Sequence, residues 1–246
     1  MTTSRAAELA AALAALQTRL DAAAQAAGRA VEEIEILPVT KFFPASDVIE
    51  LHRIGCSAFG ESREQEASNK VAEVAAALDS SAIRWDMVGR VQRNKARALA
   101  GWAHTVHAVD KTALAAALDR AAREALDDGR RTNRLRAYVQ VSLDGDPARG
   151  GVDAGRPELL DELCDTVARA EGLEFVGLMA IAPLAWKPDD AFERLAAVRH
   201  RVQERYQQRL GLSAGMSSDL EAAVKHGSTC VRVGTALMGQ RPLTSP

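Results

Sequence analysis

The order of apolar segments predicts an α/β protein: one (β/α)8 TIM-type barrel over residues 1–246, preceded by an extra helix. Three observations predict it. Short apolar, β-branched runs alternate with helical stretches eight times along the chain, and no β-rich segment is left for a second sheet. Glycines and polar residues gather at the C-terminal ends of the predicted strands, the side on which such barrels build their sites. A doubly wound open sheet is the alternative. It ordinarily carries a glycine-rich loop after its first strand, where this chain has Lys41-Phe-Phe-Pro44.

Leu9, Leu13, Leu16 and Leu20 repeat at helical spacing, so residues 4–27 form an amphipathic helix closed by Gly28. Residues 34–40 read as the first strand, and Pro44 and Ser46 open a helix that stops at Gly55. Residues 56–60 and 63–78 make the second strand and helix, and 83–88 and 92–101 the third pair. Residues 105–109, closed by Asp110, precede a helix over 112–126. The fifth strand, 136–143, alternates Val-Gln-Val and leads through a glycine-rich loop, 145–151, to a helix over 157–171. The sixth strand, 174–180, precedes a long helix marked by Phe192, Leu195, Val198, Val202 and Tyr206. Residues 212–216 form an irregular seventh strand. Ser218-x-x-Glu221 then reads as a capping box for a helix ended by Gly227, and 229–233 is the eighth strand.

Composition narrows the function. Of 246 residues, 47% are hydrophobic and 26% charged, an ordinary globular balance. A net charge of −2 supplies no pull toward nucleic acid or an anionic membrane. The arginines between Arg130 and Arg136 read as a solvated loop. Cys56, Cys164 and Cys230 lack paired spacing and fit free thiols in a reducing cytoplasm. No apolar run reaches the roughly 20 residues that span a bilayer. The five histidines show no metal-ligand spacing and read as lying on or beside helices, satisfied or solvated.

Three residues or turns at the strand ends can do chemistry together. Lys41 ends an apolar strand, where apolar walls and a nearby cation would favour a free amine able to attack an aldehyde. Gly234-Thr235 follows the eighth strand and opens a short helix, a turn whose N–H groups suit an anion, and Ser213 can add a hydroxyl. Arg232 sits between them. Pointing inward, it would donate to a ring nitrogen and keep it unprotonated, which makes a weak electron sink. Amine, ring-nitrogen partner and phosphate cradle are what a protein supplies to hold pyridoxal phosphate (PLP). An amino-acid racemase is the second reading, and a lysine-imine aldolase or phosphosugar-binding barrel without PLP is a third that fits less well.

Six blocks carry a resemblance: Thr40-Lys41, Phe59-Gly60-Glu61, Val88-Gly89 with Gln92 and Asn94-Lys95, Gly177-Leu-Met179, Leu212-Ser213 through Met216-Ser217 to Asp219, and Val231-Arg232-Val-Gly234-Thr235. In order and spacing they resemble the PLP homeostasis protein family (YggS/PROSC-like). The resemblance implies a barrel like the N-terminal domain of alanine racemase (PLP fold type III). Lys41 would form the Schiff base, Ser213, Gly234 and Thr235 would hold the phosphate, Arg232 would face the pyridine nitrogen, and Met179 would join the cofactor wall. It further implies a cytoplasmic vitamin B6 carrier without an established reaction of its own, with apo PLP-dependent enzymes as recipients. With no second domain to mediate dimers, a monomer is expected. Racemization needs a second base, and the only tyrosines, Tyr138 and Tyr206, read as strand and helix-core residues. Ser62, Asp86, Arg93 and the Ala148–Gly151 loop depart from the family pattern.

Overall fold

The computed structural model describes residues 4–78 and 83–240. Among these residues nine strands run in chain order: β1 Glu35–Pro38, β2 Ala58–Glu61, β3 Arg84–Met87, β4 Thr105–Val109, β5 Leu135–Ser142, β6 Val152–Asp153, β7 Leu173–Met179, β8 Gly211–Ser213 and β9 Cys230–Val233. The helices are α1 Arg5–Ala26, α2 Ala45–Arg53, α3 Glu64–Ala77, α4 Ala96–Trp102, α5 Thr112–Asp127, α6 Pro157–Arg169, α7 Pro188–Gln203, α8 Leu220–Lys225 and α9 Thr235–Met238. The wall follows the order β1-β9-β8-β7-β5-β4-β3-β2 with parallel pairing. A parallel bridge between Val39 and Gly60 joins the two ends of that order and closes the barrel.

This closure is light for a reason visible in the sequence. Along β1 the N–H groups of Glu35 and Val39 donate toward the β9 side, to Thr229 and Val233, while Thr40 donates to Gly60 at 3.0 Å on the β2 side. Pro38 falls in the register that faces β2 and has no N–H to give, so the first N–H that this end of β1 donates across the seam is that of Thr40.

Ser4 caps α1, its hydroxyl accepting the Ala7 N–H at 3.3 Å. Leu9, Leu13, Leu16 and Leu20 are buried against Leu220, Val224 and Val231. Each contributes about 2 kcal/mol of burial at the usual area scale. Arg19 of α1 reaches the Ser217 carbonyl at 2.6 Å and Glu221 at 2.5 Å, which ties this extra helix to the rim of the barrel.

Four local expectations are corrected. A two-residue strand, β6, pairs with the end of β5 and adds to the predicted eight. The predicted seventh strand is shortened to Gly211–Ser213 because the chain turns at Gly215, where φ is 91° and a Cβ would come within 2.5 Å of Ala223 Cβ. The capping box does not form. Asp219 is the N-cap residue, its carboxylate accepts the Met216 N–H at 2.5 Å, and Glu221 is drawn away to Arg19. The basic loop is also partly structural: Arg131 donates to the Ala100 and Ala103 carbonyls at 3.0 and 2.6 Å. Among the described residues no helix is long and apolar enough to cross a membrane.

A register irregularity in β4 shapes the interior. Pairing with β5 shifts between Val106 and Val109, and both valines pack outward with the helices. His107 and Ala108, caught between them, instead meet Tyr138 of β5 inside the barrel. The expectation that the histidines lie on or beside helices fails for His107, which is only 1% exposed.

Candidate functional site

Lys41, Met179, Arg232, Gly234 and Thr235 line one cavity of about 400 Å³ at the C-terminal mouth of the barrel. This size and mixed lining are ordinary for a small-molecule site. Ser62, Gly89, Gln140, Met216 and Ser217 share its wall. A larger cleft of about 740 Å³ adjoins it through Ser62 and Arg90 and is lined by exposed cations including Arg63, Arg93 and Lys111. The smaller cavity is the candidate site, because the amine, the buried guanidinium and the glycine turn converge there.

Lys41 follows β1 and is exposed at the rim, not enclosed among apolar walls as the sequence led us to expect. The strand brings it to the mouth, and the chain then turns sharply at Phe42, which adopts φ 70°, unusual for a residue with a side chain. The Phe42 ring lies 5.8 Å from Lys41 Nζ and 5.3 Å from the Arg63 guanidinium carbon, so one aromatic face stands beside both cations. Behind Lys41, Thr40 Oγ1 donates to Glu61 at 2.7 Å, and Lys70 Nζ donates to the Thr40 carbonyl at 2.8 Å.

Arg232 points inward and is 5% exposed. It donates to Ser213 Oγ at 2.6 Å and to the Ala180 carbonyl at 2.9 Å, which fixes the plane of the guanidinium at the cavity floor. Burial pulls its pKa down from the usual 12.5.

Ser213 is placed differently from expectation. It is fully buried, and its hydroxyl lies between Arg232 and His107, below the cavity and not on its wall. The short β8 points Ser213 into the barrel, and the turn at Gly215 carries Ser217 to the mouth instead. Ser217 Oγ accepts the Ala236 N–H at 3.1 Å, so it sits beside the Gly234-Thr235 turn. The Gly234 and Thr235 N–H groups take no acceptor among the described residues, and α9 starts there. Ser217 was visible in the sequence as part of the Met216-Ser217 block, but nothing in the pattern set it above Ser213.

The departures from the family pattern fall in distinct places. Ser62 is in the cavity wall, and Gly89 packs so closely on it that a Cβ there would sit 2.1 Å from the Ser62 carbonyl oxygen. Arg149 lines the cavity and ties its loop to the Ala182 carbonyl at 2.8 Å. Arg93 is exposed in the adjoining cleft, and Asp86 is inside the barrel beside His107, 3.2 Å away. Neither Tyr138 nor Tyr206 lines the cavity: Tyr138 packs on His107, and the Tyr206 hydroxyl donates to Asp165 at 2.7 Å on the outer layer.

Residues 12–242 match the family described as alanine racemase, N-terminal domain. A pyridoxal phosphate homeostasis protein from Mycobacterium bovis is 60% identical, the alignment covering 98% of this chain and 96% of that protein. Among solved structures, PipY of Synechococcus elongatus PCC7942 with PLP bound is 33% identical and superposes with a TM-score of 0.79, over 94% of this chain and all of that one. Alanine racemase from Corynebacterium glutamicum shares the fold alone, at 17% identity and a TM-score of 0.65, with 97% of this chain covering 62% of the enzyme. The ordered motifs, the closed parallel wall and these matches agree: the chain belongs to the alanine racemase N-terminal-domain family, within the group of the pyridoxal phosphate homeostasis proteins.

Proposed function

We propose that this protein binds PLP in the 400 Å³ cavity and holds it reversibly for the cell's PLP-dependent enzymes, without a catalytic reaction of its own. The observation that carries the reading is the meeting of Lys41, Arg232 and the Gly234-Thr235 turn in a single cavity. The donor set suits the cofactor. Lys41 offers an amine at the rim, Arg232 a fixed cation at the floor, and Ser217 with the Gly234 and Thr235 N–H groups a cradle for a dianion. When bound, PLP supplies an aldehyde that forms a C=N bond with an amine, and exchange of one amine for another costs little. Met179 and Val39 close the apolar sides of the cavity. A racemase would need a second base facing the cavity, and both tyrosines are engaged elsewhere. We place the protein in the cytoplasm as a monomer, with apo-enzymes as recipients.

The test is direct. Purified protein mixed with PLP turns yellow, borohydride bleaches it, and the phosphopyridoxyl mass maps to Lys41 and is absent from Lys41→Ala. Uptake with no mass on Lys41, or no uptake at all, overturns the reading. Solvent deuterium appearing at Cα of alanine at an enzymatic rate overturns the non-catalytic part.

A further inference from the structure

Below the cavity, four buried polar side chains from four strands form an unbroken file across the barrel. Arg232 Nη1 donates to Ser213 Oγ at 2.6 Å, Ser213 Oγ lies 2.8 Å from His107 Nδ1, and His107 Nε2 lies 3.2 Å from Asp86 Oδ2. Their exposures, from Arg232 to Asp86, are 5, 0, 1 and 2%. Arg232 forms no ion pair among the described residues, although a buried cation is costly to leave unbalanced.

The hydrogens along this file can be assigned by elimination. Asp86 is held below the ordinary 3.8: burial acts upward, while the bond from His107 and the nearby Arg84 guanidinium act downward. As a carboxylate it only accepts, so His107 Nε2 must carry a hydrogen. Burial lowers the His107 pKa, so the ring is neutral and Nδ1 is an acceptor. Among the described residues the only donor aligned with Nδ1 is the Ser213 hydroxyl, whose oxygen then accepts from Arg232. All donors point the same way, from guanidinium to carboxylate, an arrangement in which each bond polarizes the next. At its far end Asp86 Oδ1 lies 3.6 Å from Arg84 Nε, and Arg84 is paired in turn with Glu35. Arg232 and Arg84 are thus matched by Asp86 and Glu35, the outer Arg84–Glu35 pair being partly exposed. The other ring packed on His107 is Tyr138, at 4.7 Å between centroids.

We propose that Asp86, His107 and Ser213 are positioning residues for Arg232: the file locks the guanidinium plane and joins its charge to Asp86, leaving its remaining N–H groups aimed at the cavity. The part that concerns PLP rests on the binding reading above. Under it, the locked cation is what keeps the pyridine nitrogen unprotonated.

The experiment uses unloaded and loaded full-length protein. In unloaded protein, nitrogen-15 NMR is expected to find the His107 hydrogen on Nε2 and distinct, slowly rotating Arg232 Nη signals. Ser213→Ala should collapse those Nη signals to an averaged one, Asp86→Asn should lose the fixed tautomer, and Ser213→Thr should restore the native pattern. In loaded protein Ser213→Ala should weaken PLP about tenfold and move the signal of nitrogen-labelled PLP toward the protonated range. A hydrogen on His107 Nδ1, or Arg232 signals unchanged in Ser213→Ala, overturns the proposal whether or not PLP binds. Slowed Arg232 rotation in a native protein that takes up no PLP would leave the positioning role standing and remove the binding reading.

Discussion

Lys70 Nζ lies 2.5 Å from Glu61 Oε1, and both side chains are buried directly behind the strand end that carries Lys41. Burial pushes the Glu61 carboxyl up, while Lys70 and the Thr40 hydroxyl hold it down; burial wins. The same ammonium bonds the Thr40 carbonyl, so the pair clamps the backbone next to the reactive amine.

Lys70→Met should therefore cost about 3–5 kcal/mol, the usual penalty for leaving one member of a buried pair without its partner. Urea denaturation measures it. A loss under 1 kcal/mol would mean that Glu61 finds water or another donor.

Ser217→Ala should act on binding and leave folding nearly unchanged. The hydroxyl accepts one N–H at the rim and is half-buried, so its loss should change stability by under about 1 kcal/mol. PLP affinity should fall about tenfold, the worth of one hydrogen bond to a charged group. Equilibrium dialysis of the variant beside wild type checks both the direction and the size.

Gly89→Ala tests the close approach of two backbones at the cavity wall. A Cβ 2.1 Å from the Ser62 carbonyl oxygen cannot be accommodated without moving the chain. A cost of about 1–3 kcal/mol is expected, as for other overpacked positions. Because Ser62 is in the cavity wall, PLP titration should weaken in parallel. A variant with native affinity would separate this wall from the ligand.

Acid should destabilize the protein in two stages. Burial depresses His107 below its ordinary 6.5, so the unfolded chain takes up that proton first as pH falls. Its contribution is complete above that value and is lost below it, at up to about 1.4 kcal/mol per pH unit. Asp86, also depressed, loses its contribution only at lower pH, as the folded carboxylate becomes protonated. Urea midpoints between pH 8 and 5 should fall for wild type and fall less steeply for His107→Gln. Equal slopes would show that His107 is charged in the folded protein.

How much of this could be read from the chain differs from residue to residue. Lys41 and Gly234-Thr235 were legible because a strand end followed by a turn has a direction that sequence order determines. The side on which Arg232 lies was not, because a four-residue strand has too few alternations to reveal its inward face. His107 was concealed by the irregularity in β4, which sends two consecutive residues inward and breaks the period on which such readings depend. Ser213 and Ser217 are four residues apart in one motif, and only the turn at Gly215 separates the interior hydroxyl from the rim hydroxyl.

The seam at Pro38 has a consequence for how occupancy is felt. The staves on either side of Val39 and Gly60 share one backbone bridge, backed by the Thr40–Glu61 and Lys70 side-chain bonds, and the cavity spans that bridge with Lys41 on one stave and Ser62 on the other. A molecule fastened to both acts as a hoop, tightening the cask where its own joinery is thinnest.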